Sequence, residues 1–219
     1  MSTPLSGDAA LLQQRFSTER FAPYLRAAQH DQDTAVALYR WNVEFAAAIS
    51  ETLGHLEVGV RNALHEGWSA RHVRLGRAGT WFDDPAGELD RRAHTDIDRA
   101  RARLGTAGAA LLPGKLVAEL PFGFWRFLLA RRYTTIWPAV RPYFPHLPSN
   151  DRRLLELPVA RLHLLRNRIA HHEPLLTVSA TAVRADIVTV LDALDPALTR
   201  WVEQGDRIAV VHARRPSPH

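Results

Sequence analysis

The stretch that most restricts what this chain can fold into is Leu162 to Pro174, LHLLRNRIAHHEP. Upstream of it, Pro158 suits a first helical turn, where a missing N–H has no partner to lose. Pro174 pushes Glu173 out of the α region, so the helix is expected to stop near His172. Between these limits Leu162, Leu165 and Ile169 recur at three- and four-residue steps, one apolar stripe facing the core of its own subunit. At about 100° per residue, Ala160, Leu164, Asn167 and His171 fall on the opposite side. A helix with apolar residues on two faces has something packed on both, and the outer face is read as meeting a partner helix, from the same chain or from a second copy.

The same stretch carries the chemistry. A guanidinium such as that of Arg166 can hold a phosphate, and an imidazole such as that of His171 can move a proton near neutral pH. The two stand five residues apart, about 140° around an ideal helix, whereas Asn167 and His171 are same-face neighbours. A pocket using both Arg166 and His171 therefore needs an unwound last turn, or the Arg of one chain meeting the His of another. Either route makes a symmetric dimer attractive. The plainer alternative is a helix end at which Arg and His are favoured by the negative pole of the dipole.

These residues carry a resemblance. The run Leu165-Arg-Asn-Arg-Ile-Ala-His-His-Glu-Pro174 resembles the signature of the HEPN superfamily, an Arg followed by a polar residue and then a His four to six positions on. It is most similar to the Abi-like (abortive infection) branch. Leu56-Glu-Val-Gly-Val-Arg-Asn62 and Leu120-Pro-Phe-Gly-Phe-Trp125 are further stretches similar to that branch. The resemblance implies an all-α, HEPN-like helical bundle with additional helices, dimerising through the motif helices. It implies an N-terminal helical extension over 1–30, the Abi-like domain over 31–205 and a C-terminal tail over 206–219. For many relatives it also implies a metal-independent endoribonuclease used as a toxin or in phage defence, sometimes with an antitoxin, while others only bind RNA or nucleotides. The family pattern carries over onto Arg166, Asn167 and His171.

Composition is compatible with that expectation without demanding it. Of the 28 basic residues 27 are arginine, Lys115 being the exception, and arginine is the better bidentate phosphate ligand. Arginine enrichment also follows from coding bias, so it only permits nucleic-acid binding. The chain has no cysteine, which excludes disulfides and thiolate metal sites. No run of about 18 apolar residues occurs, and MSTPLSGD lacks a basic region followed by an apolar one, so a cytoplasmic protein with no membrane partner is expected.

Along the rest of the chain, Ser17 is placed to cap a short helix, with Pro23 limiting its first turn. A long helical pattern opens near Asp31 or Asp33, and Gly54 is expected to bend or break it. On the following segment Glu57, Arg61 and His65 follow at four-residue steps. They form either a surface ion pair worth about 0.2–0.5 kcal/mol or, with His172, substrate-binding residues of the His171 pocket. Residues 73–86 read as a loop pinned by Trp81 and Phe82. The arginine-rich helix after it reads as a solvated face, or as a track for a nucleic-acid backbone. Residues 105–113 read as a flexible connection. The aromatic stretch from Phe122 to Trp137 reads as core, with base stacking the alternative. RIAVVHARRPSPH is expected to form one short strand with a disordered end.

No metal or cofactor signature was found: no His-Glu-x-x-His pair, phosphate loop, nucleophile elbow or dinucleotide fingerprint. His163, His171 and His172 form the densest histidine group but do not complete a ligand set. The expected mechanism is cleavage of RNA by its own 2′-hydroxyl, with His171 as general acid or base, Arg166 on the phosphate and Asn167 positioning His171 or the substrate. A non-catalytic RNA- or nucleotide-binding module and a dimerising protein-interaction domain are the alternatives.

Overall fold

Helices recur throughout the computed structural model, which describes residues 7–105 and 113–217. The connection expected over 105–113 lies mostly outside the described residues, as does the end of the tail at 218–219. Among the described residues there are eleven α-helices, three short 3-10 turns and no strand, so the chain is all-α. The helices are α1 Gly7–Phe16, α2 Thr18–Ala27, α3 Gln32–Arg74, α4 Arg91–Arg103, α5 Pro113–Glu119 and α6 Phe122–Leu128. They continue with α7 Trp137–Val140, α8 Arg153–Ala170, α9 Ala180–Leu194, α10 Pro196–Gly205 and α11 Ile208–Ala213. Among the described residues no helix is long and apolar enough to cross a membrane.

The described residues fall into two compact units. The first comprises the described residues within Met1–Leu53, Leu164–Ala185 and Gln204–His219, the second those within Gly54–His163 and Asp186–Glu203.

Gly54, Pro158 and the end of the chain each depart from expectation. Gly54 does not interrupt α3, which runs unbroken for 43 residues. A helical glycine costs about 1 kcal/mol relative to alanine. Against that, the stripe Ile49, Leu53, Leu56, Val60 and Leu64 passes Gly54 without a change of phase and is wholly buried. Pro158 is not in the first turn of α8, which starts five residues earlier, where the Asp151 carboxylate accepts the Arg153 N–H at 3.0 Å. Lastly, the end of the chain is helical rather than a strand. Ile208 and Val211, three residues apart, are both buried, and Asp206 accepts the Ile208 N–H at 2.8 Å.

The first unit packs Phe21, Tyr24, Leu38, Phe45, Leu175 and Val211 into its core. Trp41 ties α3 to α11 by donating from Nε1 to the Val211 carbonyl at 2.9 Å. In α2 the Ser17 hydroxyl accepts the Arg20 N–H, and the helix passes through Pro23 in its interior rather than its first turn. Proline has no N–H to give the carbonyl of the preceding turn.

In the second unit the aromatic stretch is core. Phe122, Phe124, Trp125, Tyr133 and Trp137 are all buried, with Trp81 and Phe82 pinning the loop that follows α3 against them. Gly67 is required where α3 meets α7, since a Cβ there would lie 2.8 Å from the Val140 Cα. Glu88 anchors the same loop by accepting from Arg71 at 2.5 Å and Arg77 at 2.6 Å. The proline-rich link after α7 is held by Arg141, which donates to the carbonyls of Phe144, Leu147 and Ser149.

Candidate functional site

The motif ends α8 in a built stop. His171 keeps a helical bond from its N–H to the Asn167 carbonyl (3.0 Å), after which His172 turns left-handed at φ 54°. The His172 N–H then reaches back to Ile169 (2.9 Å) and the Glu173 N–H to Arg168 (2.9 Å), the paired closure of a Schellman motif. Glycine is the usual residue at that left-handed position, and a side chain there costs about 1–2 kcal/mol.

Three side chains hold this turn from outside its own backbone. Arg20 of α2 donates to the His172 carbonyl at 2.8 Å and to the His171 carbonyl at 3.4 Å. Arg168 donates to the Pro174 carbonyl at 2.6 Å and pairs with Glu173 at 3.3 Å. The Asn42 side-chain oxygen, buried in α3, accepts the Leu175 N–H at 2.6 Å. The carbonyls at a helix C-terminus carry a partial negative charge, and Arg20 meets it with a full positive one.

Beside the turn an open cavity of about 340 Å³ is walled by Ser17, Glu19 and Arg20 from one side and by His171, His172 and Glu173 from the other. His171 is exposed at its edge. Ser17 is itself strained, at φ 82° and ψ 152°. Two non-glycine residues of positive φ thus wall one cavity. Such strain costs about 1–3 kcal/mol each and collects where a surrounding structure imposes it for function.

The three motif residues are placed unequally. His171 reaches this cavity, Asn167 is half-buried one turn behind it, and Arg166 is exposed on α8. Because the backbone stays helical through His171, the unwound last turn that would have brought Arg166 and His171 together in one chain does not occur. Among the described residues of the cavity wall, the cation is Arg20. Sequence reasoning missed it, since it lies 151 residues from His171 and nothing local marks it.

Glu57, Arg61 and His65 belong to the second unit, whereas His171 belongs to the first. His65 has a structural environment: its Nδ1 accepts the Trp81 indole N–H at 3.0 Å, and its ring stacks on Phe82. Burial pushes its pKa below the ordinary histidine value, as suits a neutral ring that accepts a hydrogen bond. Glu57 and Arg61 are half-buried on α3. His172 lines the cavity beside His171.

The arginines of α4 are partly committed within their own unit. Arg101 pairs with Asp83 at 2.6 Å, Arg103 with Glu119, and Arg92 lies 3.5 Å over the Phe127 ring. His163 packs between Phe122 and Phe127. Among the described residues no three His, Asp or Glu side chains form a group able to hold a metal ion.

No protein-family model, curated protein or solved structure matches this chain.

Proposed function

We propose that this chain is an endoribonuclease of the HEPN, Abi-like type that works without a metal ion, with His171 as acid or base. What carries the proposal is the presentation of His171. An exposed imidazole stands on a turn held by Arg20, Arg168 and Asn42, with a guanidinium in the same cavity wall. The backbone that carries the ring is so fixed, which limits where the imidazole can reach, and Arg20 supplies positive charge where a phosphate would approach.

Arg166 enters through a second copy. It stays about 140° around α8 from His171 of its own chain, so in a symmetric pair Arg166 of the partner subunit completes the site. Leu164 supports the pairing: it is 63% exposed and lies on the side of α8 that also carries Asn167 and His171. Asn167 positions His171 or the substrate.

In the reaction the 2′-hydroxyl oxygen of the RNA attacks the adjacent phosphorus, forming the O2′–P bond as the P–O5′ bond breaks. One group takes the 2′ proton and another protonates the departing 5′ oxygen, leaving a 2′,3′-cyclic phosphate and a 5′-hydroxyl. His171 serves one of these steps, and the arginines stabilise charge on the phosphoryl oxygens. A cytoplasmic toxin or phage-defence role, restrained by an antitoxin, is the setting such chemistry fits.

The test is incubation of chelator-treated protein with labelled RNA and with DNA of the same sequence. Cutting of RNA only is expected, and His171→Ala should reduce it about 10²–10⁴-fold with the fold intact, since the side chain is exposed. Undiminished cutting by a folded His171→Ala protein removes His171 from the mechanism. RNA retention without cutting by the unaltered protein reassigns the domain to binding alone.

A further inference from the structure

A second cavity of about 240 Å³ opens in the same unit and shares His172 and Glu173 with the first as a common wall. We infer that it is a nucleoside subsite, taking one unpaired base of an RNA strand whose phosphate lies against Arg20 and His171. It rests on the ribonuclease proposal only for the class of ligand.

The walls argue for a planar ring. Half-buried Tyr39, stacked on Phe16, lines the trough and meets the buried Tyr24 edge to face at 5.3 Å. Val43, Ala46 and Ala47 of α3 line its length with small apolar groups. Sites for drug-sized ligands run to about 300–1,000 Å³, so this smaller trough suits a single ring system with its sugar. Unpaired bases are held in this way, by aromatic walls and a few placed polar groups. The aromatic residues of the second unit that sequence alone made candidates for stacking are consumed in its core, except half-buried Phe127, which Arg92 and Arg126 cover.

Two polar groups give the trough direction. Asn42 is 5% exposed, and its Oδ1 accepts from the Leu175 N–H, which identifies the oxygen end because a backbone N–H can only donate. The amide nitrogen is therefore the end turned from Leu175, a fixed donor for a carbonyl or ring nitrogen on a base edge. Ser50 donates its own proton to the Ala46 carbonyl at 2.8 Å, which leaves its oxygen as an acceptor for a sugar hydroxyl. The two stand eight residues apart on α3, about 12 Å along its axis. Glu173 would repel a polyanion, but its carboxylate is paired with Arg168 at 3.3 Å.

The test uses 2′-O-methyl hexaribonucleotides of U, C, A or G alone, which lack the internal nucleophile and so bind without being cut. Affinity is measured at one fixed salt concentration for the full chain and for Ala47→Trp and Val43→Trp, two plugs introduced from exposed positions on the trough wall. The expected result is that one composition binds at least about tenfold tighter than the others and that each folded plug removes that advantage. Equal affinity for all four, or an equal loss for all four, overturns the inference. So does light scattering in which the plugs convert a dimer to a monomer while oligonucleotide affinities stay unchanged, for then a second copy fills the trough. His171-dependent cutting that ignores both plugs leaves the nuclease standing and the subsite refuted. Plug-sensitive base preference without any cutting does the reverse.

Discussion

Asn42→Ala tests whether the candidate site is assembled as described. In the folded chain the Leu175 N–H, on a residue wholly shielded from solvent, has its bond at 2.6 Å to the Asn42 side chain. Removing the acceptor leaves a buried donor unpaired, which costs about 1–3 kcal/mol. Asn42 also borders the trough, so water can partly replace the lost acceptor, and a value of about 2 kcal/mol is expected. For a chain of this length that lowers the melting temperature by about 4–8 °C. Thermal unfolding by circular dichroism measures the shift, and hydrogen exchange resolved at Leu175 identifies its source. The Leu175 amide should lose its protection, while amides in the middle of α9 change far less. Cleavage should fall with it, because the turn carrying His171 loses one of its three external ties. A melting temperature within about 1 °C of the unaltered chain, or an unchanged exchange rate at Leu175, refutes the reasoning.

His172→Gly relieves the left-handed residue at the end of α8 and should raise stability by about 1 kcal/mol, read as a higher urea midpoint at unchanged slope. Lower cleavage at higher stability would mark the strained histidine as part of the site; no gain in stability would refute the strain. The second expectation concerns acid. Arg77, and after it Arg71, hold the Glu88 carboxyl down at about 2 from its ordinary 4.5. The folded state thus prefers the ionised form. Its stabilising contribution is complete above about pH 4.5 and is lost as pH falls toward 2. Urea unfolding between pH 5 and 2 should show this slope flattened in Glu88→Gln, and an identical slope in both proteins would refute it.

Much of the helical architecture was legible in residue spacing. Leu162 and Leu165 are buried as their three-residue step required, and Leu164 on the other side is exposed. The errors came where a local rule met a longer-range one. Gly54 reads as a breaker, yet the unbroken phase of the buried stripe around it outweighs its propensity. The β-branched Ile208, Val210 and Val211 read as a strand. Burial of Ile208 and Val211 against their unit, with Val210 left 54% exposed, selects a helix instead. Pro158 reads as a first-turn residue, yet the helix starts five residues before it, where the Asp151 carboxylate accepts the Arg153 N–H.

By itself the sequence determined that His171 closes a helix ahead of a proline, because a chain stop and an apolar period are properties of near neighbours. Only the tertiary structure decided which groups surround that histidine. Arg20 and Asn42 meet the turn 151 and 133 residues away along the chain. Their pairing follows from how α2 and α3 pack, and packing is a property of burial in three dimensions that no local spacing encodes. The same distinction holds for His65: its helical register was readable, but the Trp81 indole N–H that its Nδ1 accepts was not.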